Sequence, residues 1–285
     1  MTRYVCLILL ALFSARGYAQ QKEIKPLRPV TAATVLSVGS GKIYDTYLSP
    51  IKYGGQAFGI HHERMRVSRF GNNRLTSQHL LSAEMEHTLN PAGNHVMWGA
   101  AFDYTYGMFY RIQGTEPNLK LLAGGQLASR LGVAYNAHNS NNPANAKGDV
   151  NLQLSGMAIY RLTIKKLPIT VRYQASIAVA GLFFCPEYGQ SYYEIFTLGD
   201  TGGIVHFGSL HNQFNMQNLL TVDIPVNTWF LRIGYRNDIH TFRENQLRSQ
   251  LYTNSFIIGI SKEFGSLRKK GKIADRKRPV WSAYY

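Results

Sequence analysis

Between about residue 31 and residue 264, apolar and polar side chains alternate in run after run. Over Ile169–Gly181 one side carries Ile169, Val171, Tyr173, Ala175, Ile177 and Val179, and the other carries Thr170, Arg172, Gln174 and Ser176. Val150–Ile164 and Trp229–His240 repeat the pattern. Successive side chains of a strand point to opposite faces, so each run predicts a strand with one apolar and one polar face. The runs are about twice the length of an average soluble strand and suit a tilted membrane strand of roughly 9–11 residues.

Ten strands are predicted, at about Thr31–Ser40, Gln56–Arg69, Leu75–Leu89, His95–Tyr110, Leu119–Asn136, Val150–Ile164, Ile169–Leu182, His211–Val222, Thr228–Thr241 and Leu251–Phe264. Phe70–Arg74, Arg111–Asn118, Lys165–Pro168 and Asp223–Asn227 read as short turns. Gly41–Gly55, Ala137–Asp149, Phe183–Leu210 and Phe242–Gln250 read as long loops, and a hairpin hidden in Phe183–Leu210 would raise the count to twelve. A closed barrel is the β-structure that satisfies every backbone group in lipid. The fold expected is therefore an all-β transmembrane antiparallel barrel with both termini in the periplasm. A soluble sandwich or lipocalin-like barrel would turn a Lys- and Glu-rich face to water. Here the polar faces are Gly, Ser, Gln, Asn and Arg, as a lumen would be. Trp98, Phe102, Tyr104 and Tyr106 share one face of the fourth strand, and Tyr160, Tyr173, Trp229 and Tyr235 lie on outward faces elsewhere, where amphipathic rings suit the headgroup level.

Composition narrows the class. Only 16% of the 285 residues are charged, against 45% hydrophobic, which excludes a disordered solvating chain. Two cysteines exclude a disulfide scaffold, and no run of eighteen apolar residues offers a membrane helix. Residues 1–19 read as a secretory signal peptide: Arg3, the apolar stretch Val5–Phe13, then small residues at Gly17 and Ala19. Cys6 leaves with it, and Cys185 remains as the mature cysteine. The expected organisation is signal peptide 1–19, periplasmic segment 20–30, outer-membrane barrel 31–264 and basic periplasmic tail 265–285.

There are 31 basic residues against 16 acidic, and the excess is concentrated at the end: seven cations and one acid follow Ser266. A nucleic-acid partner is set aside for a secreted chain. The tail instead reads as a docking peptide for anionic lipid or an acidic periplasmic or outer-membrane protein, bound by Arg268, Lys269, Lys270, Arg276, Lys277 and Arg278 and pinned by Trp281, Tyr284 and Tyr285.

The inward faces sort by charge. Glu63, Glu84, Glu86 and Asp103 form an acidic wall. Lys120, Arg130, Arg161, Arg172, Arg232 and Arg236 form a basic one, with Asp238 and His240 beside them. In a ten-strand barrel these walls either pair into a salt-bridged plug or leave a narrow polar pore with a transverse field.

Asp45-Thr46-Tyr47-Leu48-Ser49-Pro50, Asn139–Asn145, Pro186–Phe196 and His211-Asn212 are the segments that alternation does not explain. On them the chain resembles a family of uncharacterised Bacteroidota outer-membrane β-barrel proteins recorded as a domain of unknown function. The resemblance implies a barrel in the outer membrane and no established activity. Tyr188, Gln190, Tyr192 and Tyr193 offer stacking faces and polar groups for sugar, lipid headgroup or protein, or else fold inward to cap the mouth.

A lipid-modifying hydrolase would need a Ser–His pair and an orienting group, for which Ser191 or Ser209, His206 or His211, and Glu187 or Glu194 are the weak candidates. His61-His62-Glu63 puts neighbours on opposite strand faces, so no metal site is expected, and no cofactor. The role expected is structural or accessory docking in the envelope. A narrow porin-like channel, and more remotely a hydrolase, are the alternatives.

Overall fold

The computed structural model describes residues 26–114, 116–140, 142–265 and 280–285. The signal peptide and most of the basic tail, including Arg268, Lys269, Lys270, Arg276, Lys277 and Arg278, lie outside the described residues.

Eleven strands follow one another: β1 Val30–Asp45, β2 Ser49–Val67, β3 Leu75–Leu89, β4 Val96–Ile112, β5 Leu119–Asn136, β6 Ala144–Ile164, β7 Leu167–Phe184, β8 Val205–Ser209, β9 Gln213–Val226, β10 Trp229–Glu244 and β11 Leu247–Phe264. Each long strand pairs antiparallel with its neighbours, and β1 meets β11 from Val30↔Phe264 to Asp45↔Ser249, so the wall closes. The barrel has ten strands; β8 is the extra one. It pairs with the last five residues of β7, above the stretch Thr170–Ile177 that pairs with β9. One short helix, α1 Tyr192–Phe196, precedes β8. No hidden hairpin adds two strands to the wall; α1 and β8 occupy that part of the chain.

Alternation places the side chains. On β6, Asn151, Ser155, Met157 and Ile159 are buried in the interior while Val150, Leu152, Leu154 and Tyr160 are exposed outside. Trp98, Phe102, Tyr104 and Tyr106 all stand on the outer wall. An apolar exterior around a polar interior is the inverse of a soluble barrel and the pattern of a membrane one.

The start of β1, the end of β11 and residues 280–285 lie at one end of the barrel, called here the terminal end, with the turns 68–74, 113–118, 165–166 and 227–228. The opposite, loop end carries 46–48, 90–95, 137–143, 185–204 and 245–246. Two of the expected long loops are not loops. Gly41–Gly55 continues β1 into β2 through Thr46-Tyr47-Leu48, with Lys42 still paired to Gly54. Phe242–Gln250 closes at Asn245-Gln246, whose φ values of 50° and 61° give the positive-φ pair that matches strand twist in a two-residue hairpin. Outward positions there are polar (Lys42, Lys52, Gln56), so the apolar signal fades while backbone pairing goes on.

Apolar layers sit near both ends of the interior. Ile43, Leu48, Tyr53, Met97 and Ala134 pack at the loop end. Met65, Phe109, Leu122, Met157 and Ile159 pack at the terminal end, and there Ala283 and Tyr284 join them.

Candidate functional site

The interior between those layers holds the charges. Glu63 of β2 reaches across to Arg172 of β7 and lies 2.6 Å from Arg232 of β10. Arg232 also grips both oxygens of Asp223 at 2.7 and 2.8 Å. Gln78 donates to Glu63 at 2.6 Å and exchanges amide bonds with Gln174, while Gln126 donates to Gln78 at 3.1 Å. This layer is dry, with Arg172, Gln78 and Asp223 all 0–1% exposed. It joins β2, β3, β5, β7, β9 and β10, so it spans the lumen rather than lining it.

A second layer lies toward the loop end. Arg236 meets Asp238 at 2.5 Å and Glu84 at 3.0 Å, and its guanidinium is 2.8 Å from His61. Arg130 is bound by Asp103 at 2.9 Å, stands 3.7 Å from Glu84 and touches the His240 ring at 3.3 Å. Glu86 is buried beside this layer with one oxygen unpartnered. Cavities of about 60, 40 and 30 Å³ remain within the barrel at these levels. Each has room for a few waters and no more.

Two members of the expected basic wall do something else. Arg161 is exposed at the terminal rim. Among the described residues Lys120 pairs with no Asp or Glu; its ammonium donates to main-chain oxygens of Ser282, Tyr284 and Tyr285 at 3.4, 3.3 and 2.9 Å.

That contact belongs to a feature contrary to expectation. Tyr284 and Tyr285, expected to pin an outside partner, lie inside this chain's own barrel. Tyr284 is 1% exposed and its hydroxyl lies 2.9 Å from that of Thr221. Tyr285 donates to Asp223 at 2.5 Å and stacks on Phe230 with ring centroids 4.0 Å apart. Trp281 stays at the rim, where its N–H donates to the Leu27 carbonyl and Val280 bridges Leu27. The segment 280–285 thus closes the terminal end.

The loop end is closed too, by the segments that alternation left over. Asp45 receives Lys147 at 2.6 Å and the amide of Asn145 at 2.9 and 3.1 Å. Tyr192 donates to Asn145 at 2.9 Å and accepts from the Ala146 N–H. Tyr47 donates to the Gln190 carbonyl at 2.8 Å, and Asn139 to that of Leu48 at 2.6 Å. Burial pushes the Tyr192 hydroxyl up from its ordinary pKa, so it stays a neutral donor. The four surface-loop residues therefore divide: Gln190 and Tyr192 hold the lid, while Tyr188 and Tyr193 are 71% and 63% exposed.

The hydrolase candidates separate. Ser191 is the N-cap of α1, its hydroxyl and N–H both donating to Glu194, which holds that carboxyl below its usual range. Ser209 and His211 do touch, at 2.5 Å, on an exposed surface. Neither Glu187 nor Glu194 stands behind that imidazole, and His206 is engaged with the Cys185 carbonyl and Asn245.

Asp223, Gln78 and Gln126 are lumen residues that the sequence reading does not name, and Gln174, which it puts on the polar face, is not named there as a partner of the charges. Asp223 could have been found by extending the inward series Gln213, Asn215, Gln217, Leu219, Thr221 by one step past the expected strand end.

The chain matches the model for the family described as "Protein of unknown function (DUF3316)" over residues 5–271, and it belongs to that family. No curated protein matches it. Among solved structures it is similar to the transport unit of the autotransporter AIDA-I from Escherichia coli, at 11% identity, covering 91% of this chain and 96% of that one, with a TM-score of 0.45. It is also similar to the outer membrane protease OmpT from Escherichia coli (8%, 85% and 98%, 0.45) and to the translocator domain of the autotransporter NalP from Neisseria meningitidis (11%, 92% and 96%, 0.40).

Proposed function

We propose that this DUF3316 barrel is a sealed structural or accessory component of the outer membrane, and not a conduit. The apolar outer wall supports a membrane setting, and in a chain that reads as exported the outer membrane is where such barrels live. The longest loop, 185–204, lies at the end opposite the termini, which favours the terminal end as periplasmic.

The observation that carries the reading is the Glu63–Arg172–Arg232 cluster with Tyr284 packed against it. A solute path would have to separate two buried arginines from their carboxylates, at a cost of several kcal/mol per ion. The narrow-channel alternative is opposed by that layer. The hydrolase alternative is opposed by the lack of a carboxylate behind His211 among the described residues.

An accessory role rests on the basic run of the sequence. In the sequence the cations from Arg268 to Arg278 fall between Gly265, which follows β11, and Val280, which bridges Leu27. Anionic headgroups or an acidic periplasmic protein would attract them by about 1 kcal/mol per basic residue near a charged surface. The two tyrosines are not part of that attraction.

Planar-bilayer recording of the full chain tests the reading. The expected result is a silent membrane with protein demonstrably inserted. A stable open conductance overturns it.

A further inference from the structure

In the terminal half of the barrel the outer wall is apolar over most of its circumference, with one polar strip on β1–β3 and β11. Near the terminal end, outward positions on β6, β7, β9 and β10 are Tyr160 and Leu162, Ile169 and Val171, Val222 and Ile224, and Leu231 and Ile233. On β2 the same level carries His62, Arg64 and Arg66, all on the outer face opposite inward His61, Glu63 and Met65. Strand pairing places His79 of β3 beside Arg64, and Ala32 of β1 lies between Arg64 and Lys262 of β11. Arg64, Arg66 and Lys262 thus share one patch with the imidazoles of His62 and His79. Among the described residues no carboxylate pairs with any of the three cations: Glu63 and Glu263, which flank Arg64 and Lys262 in sequence, face inward, where they meet Arg172 and Arg232, and Ser282.

The patch has shape as well as charge. A groove of about 450 Å³ runs between β2 and β3, with Arg64 and Arg66 on one side, Ser77 and His79 on the other, and Tyr104 at its head. Both imidazoles are held: His62 by the Thr34 hydroxyl at 2.9 Å and His79 by the Tyr104 hydroxyl at 2.9 Å. Leu81 in the groove and Leu36, Phe58 and Ile60 further from the terminal end present hydrocarbon.

We propose that this groove binds the phosphate of a glycerophospholipid of the periplasmic leaflet, with Arg64 and Arg66 as the principal donors and the acyl chains lying along Leu81 and Ile60. A guanidinium suits a phosphate because its donors form a planar fork. Cations in a hydrocarbon-facing wall that no carboxylate of the described residues pairs call for an anion at the membrane interface, and the phosphodiester is the anion present there. The proposal rests on the membrane reading given above.

Native mass spectrometry of the detergent-purified full chain tests it, with dioleoyl phosphatidylglycerol as probe and dioleoylglycerol as its phosphate-free counterpart. The expected result is one retained phosphatidylglycerol, no retained dioleoylglycerol, and no displacement by excess inorganic phosphate. The Arg64→Gln/Arg66→Gln double variant should lose about tenfold or more in affinity. A Lys42→Gln/Lys52→Gln variant, which removes outward cations near the loop end, should bind as the parent does. Equal retention by both variants overturns the proposal, as does displacement by inorganic phosphate, which would make this a free-anion site. Flotation of each protein with liposomes is scored separately: a chain that does not float defeats the membrane reading itself, whereas floating variants with unchanged lipid retention defeat the groove alone.

Discussion

The ring of Tyr284 lies across the guanidinium of Arg232, 4.7 Å from its centroid, and across that of Arg172 at 5.1 Å. One aromatic side chain therefore covers both cations that hold Glu63. A ring face attracts a desolvated cation, and here it also fills the space that water would take to reach the pair.

Replacing Tyr284 by Ala should destabilise the folded barrel by about 3–5 kcal/mol, the usual range for emptying a buried aromatic site. Tyr284→Phe loses only the bond to Thr221 and should cost about 1 kcal/mol. The readout is the midpoint of heat-modifiable gel migration. Equal midpoints for Tyr284→Ala and the parent would show that the segment is not seated.

The central layer predicts an asymmetry. Among the described residues Arg172 meets no carboxylate other than Glu63, whereas Glu63 also has Arg232 and Gln78. Glu63→Ala should therefore cost more than Arg172→Ala, toward the 3–5 kcal/mol of a broken buried pair. Urea unfolding of the two variants in the same detergent checks the order.

Cys185 is buried at the loop end, and loss of solvent pushes its thiol up to about 12 despite the nearby Lys147. Only the thiolate is nucleophilic. A neutral-pH thiol reagent should leave the folded chain unmodified and label it after denaturation. Prompt labelling of the folded barrel would contradict the closed lid.

The α1 cap gives a pH dependence of known sign. Glu194 is held below its ordinary value by the Ser191 N–H and hydroxyl, so its contribution is present above the unfolded carboxyl pKa of about 4.3 and is lost as pH falls through the lower folded value. Limited proteolysis with an acid-active protease should cut loop 185–204 faster as the carboxyl protonates. Glu194→Gln keeps a capping side chain but should be cut at a rate independent of pH.

Which residues face in and which face out was legible from alternation alone: Arg172, Arg232 and Arg236 on one side, Tyr173, Ile233 and Tyr235 on the other. Alternation is a local property, and the pairing of Glu63 with groups over a hundred residues away is not. The walls could be listed, while the Gln78–Gln126–Gln174 amides that bind them together carry no charge to mark them. The tail misled for a related reason. An aromatic pair after a basic run looks alike whether it seeks a partner outside or its own lumen, and Tyr284 and Tyr285 are recognised by Thr221, Asp223, Arg232 and Ser261, none of them adjacent in sequence.

That dispersal sets an order in time. The groups that receive residues 280–285 come from β5, β7, β9, β10 and β11 and, across the β1–β11 seam, from Met65 of β2 and Phe109 of β4, and they surround one space only when the wall is complete. The peptide has nowhere to dock on a half-built sheet. Its insertion must follow cylinder formation, so burial of Tyr284 is a clock mark for the end of assembly, and a fluorescence change from nearby Trp281 would report the moment at which the finished cylinder is stoppered.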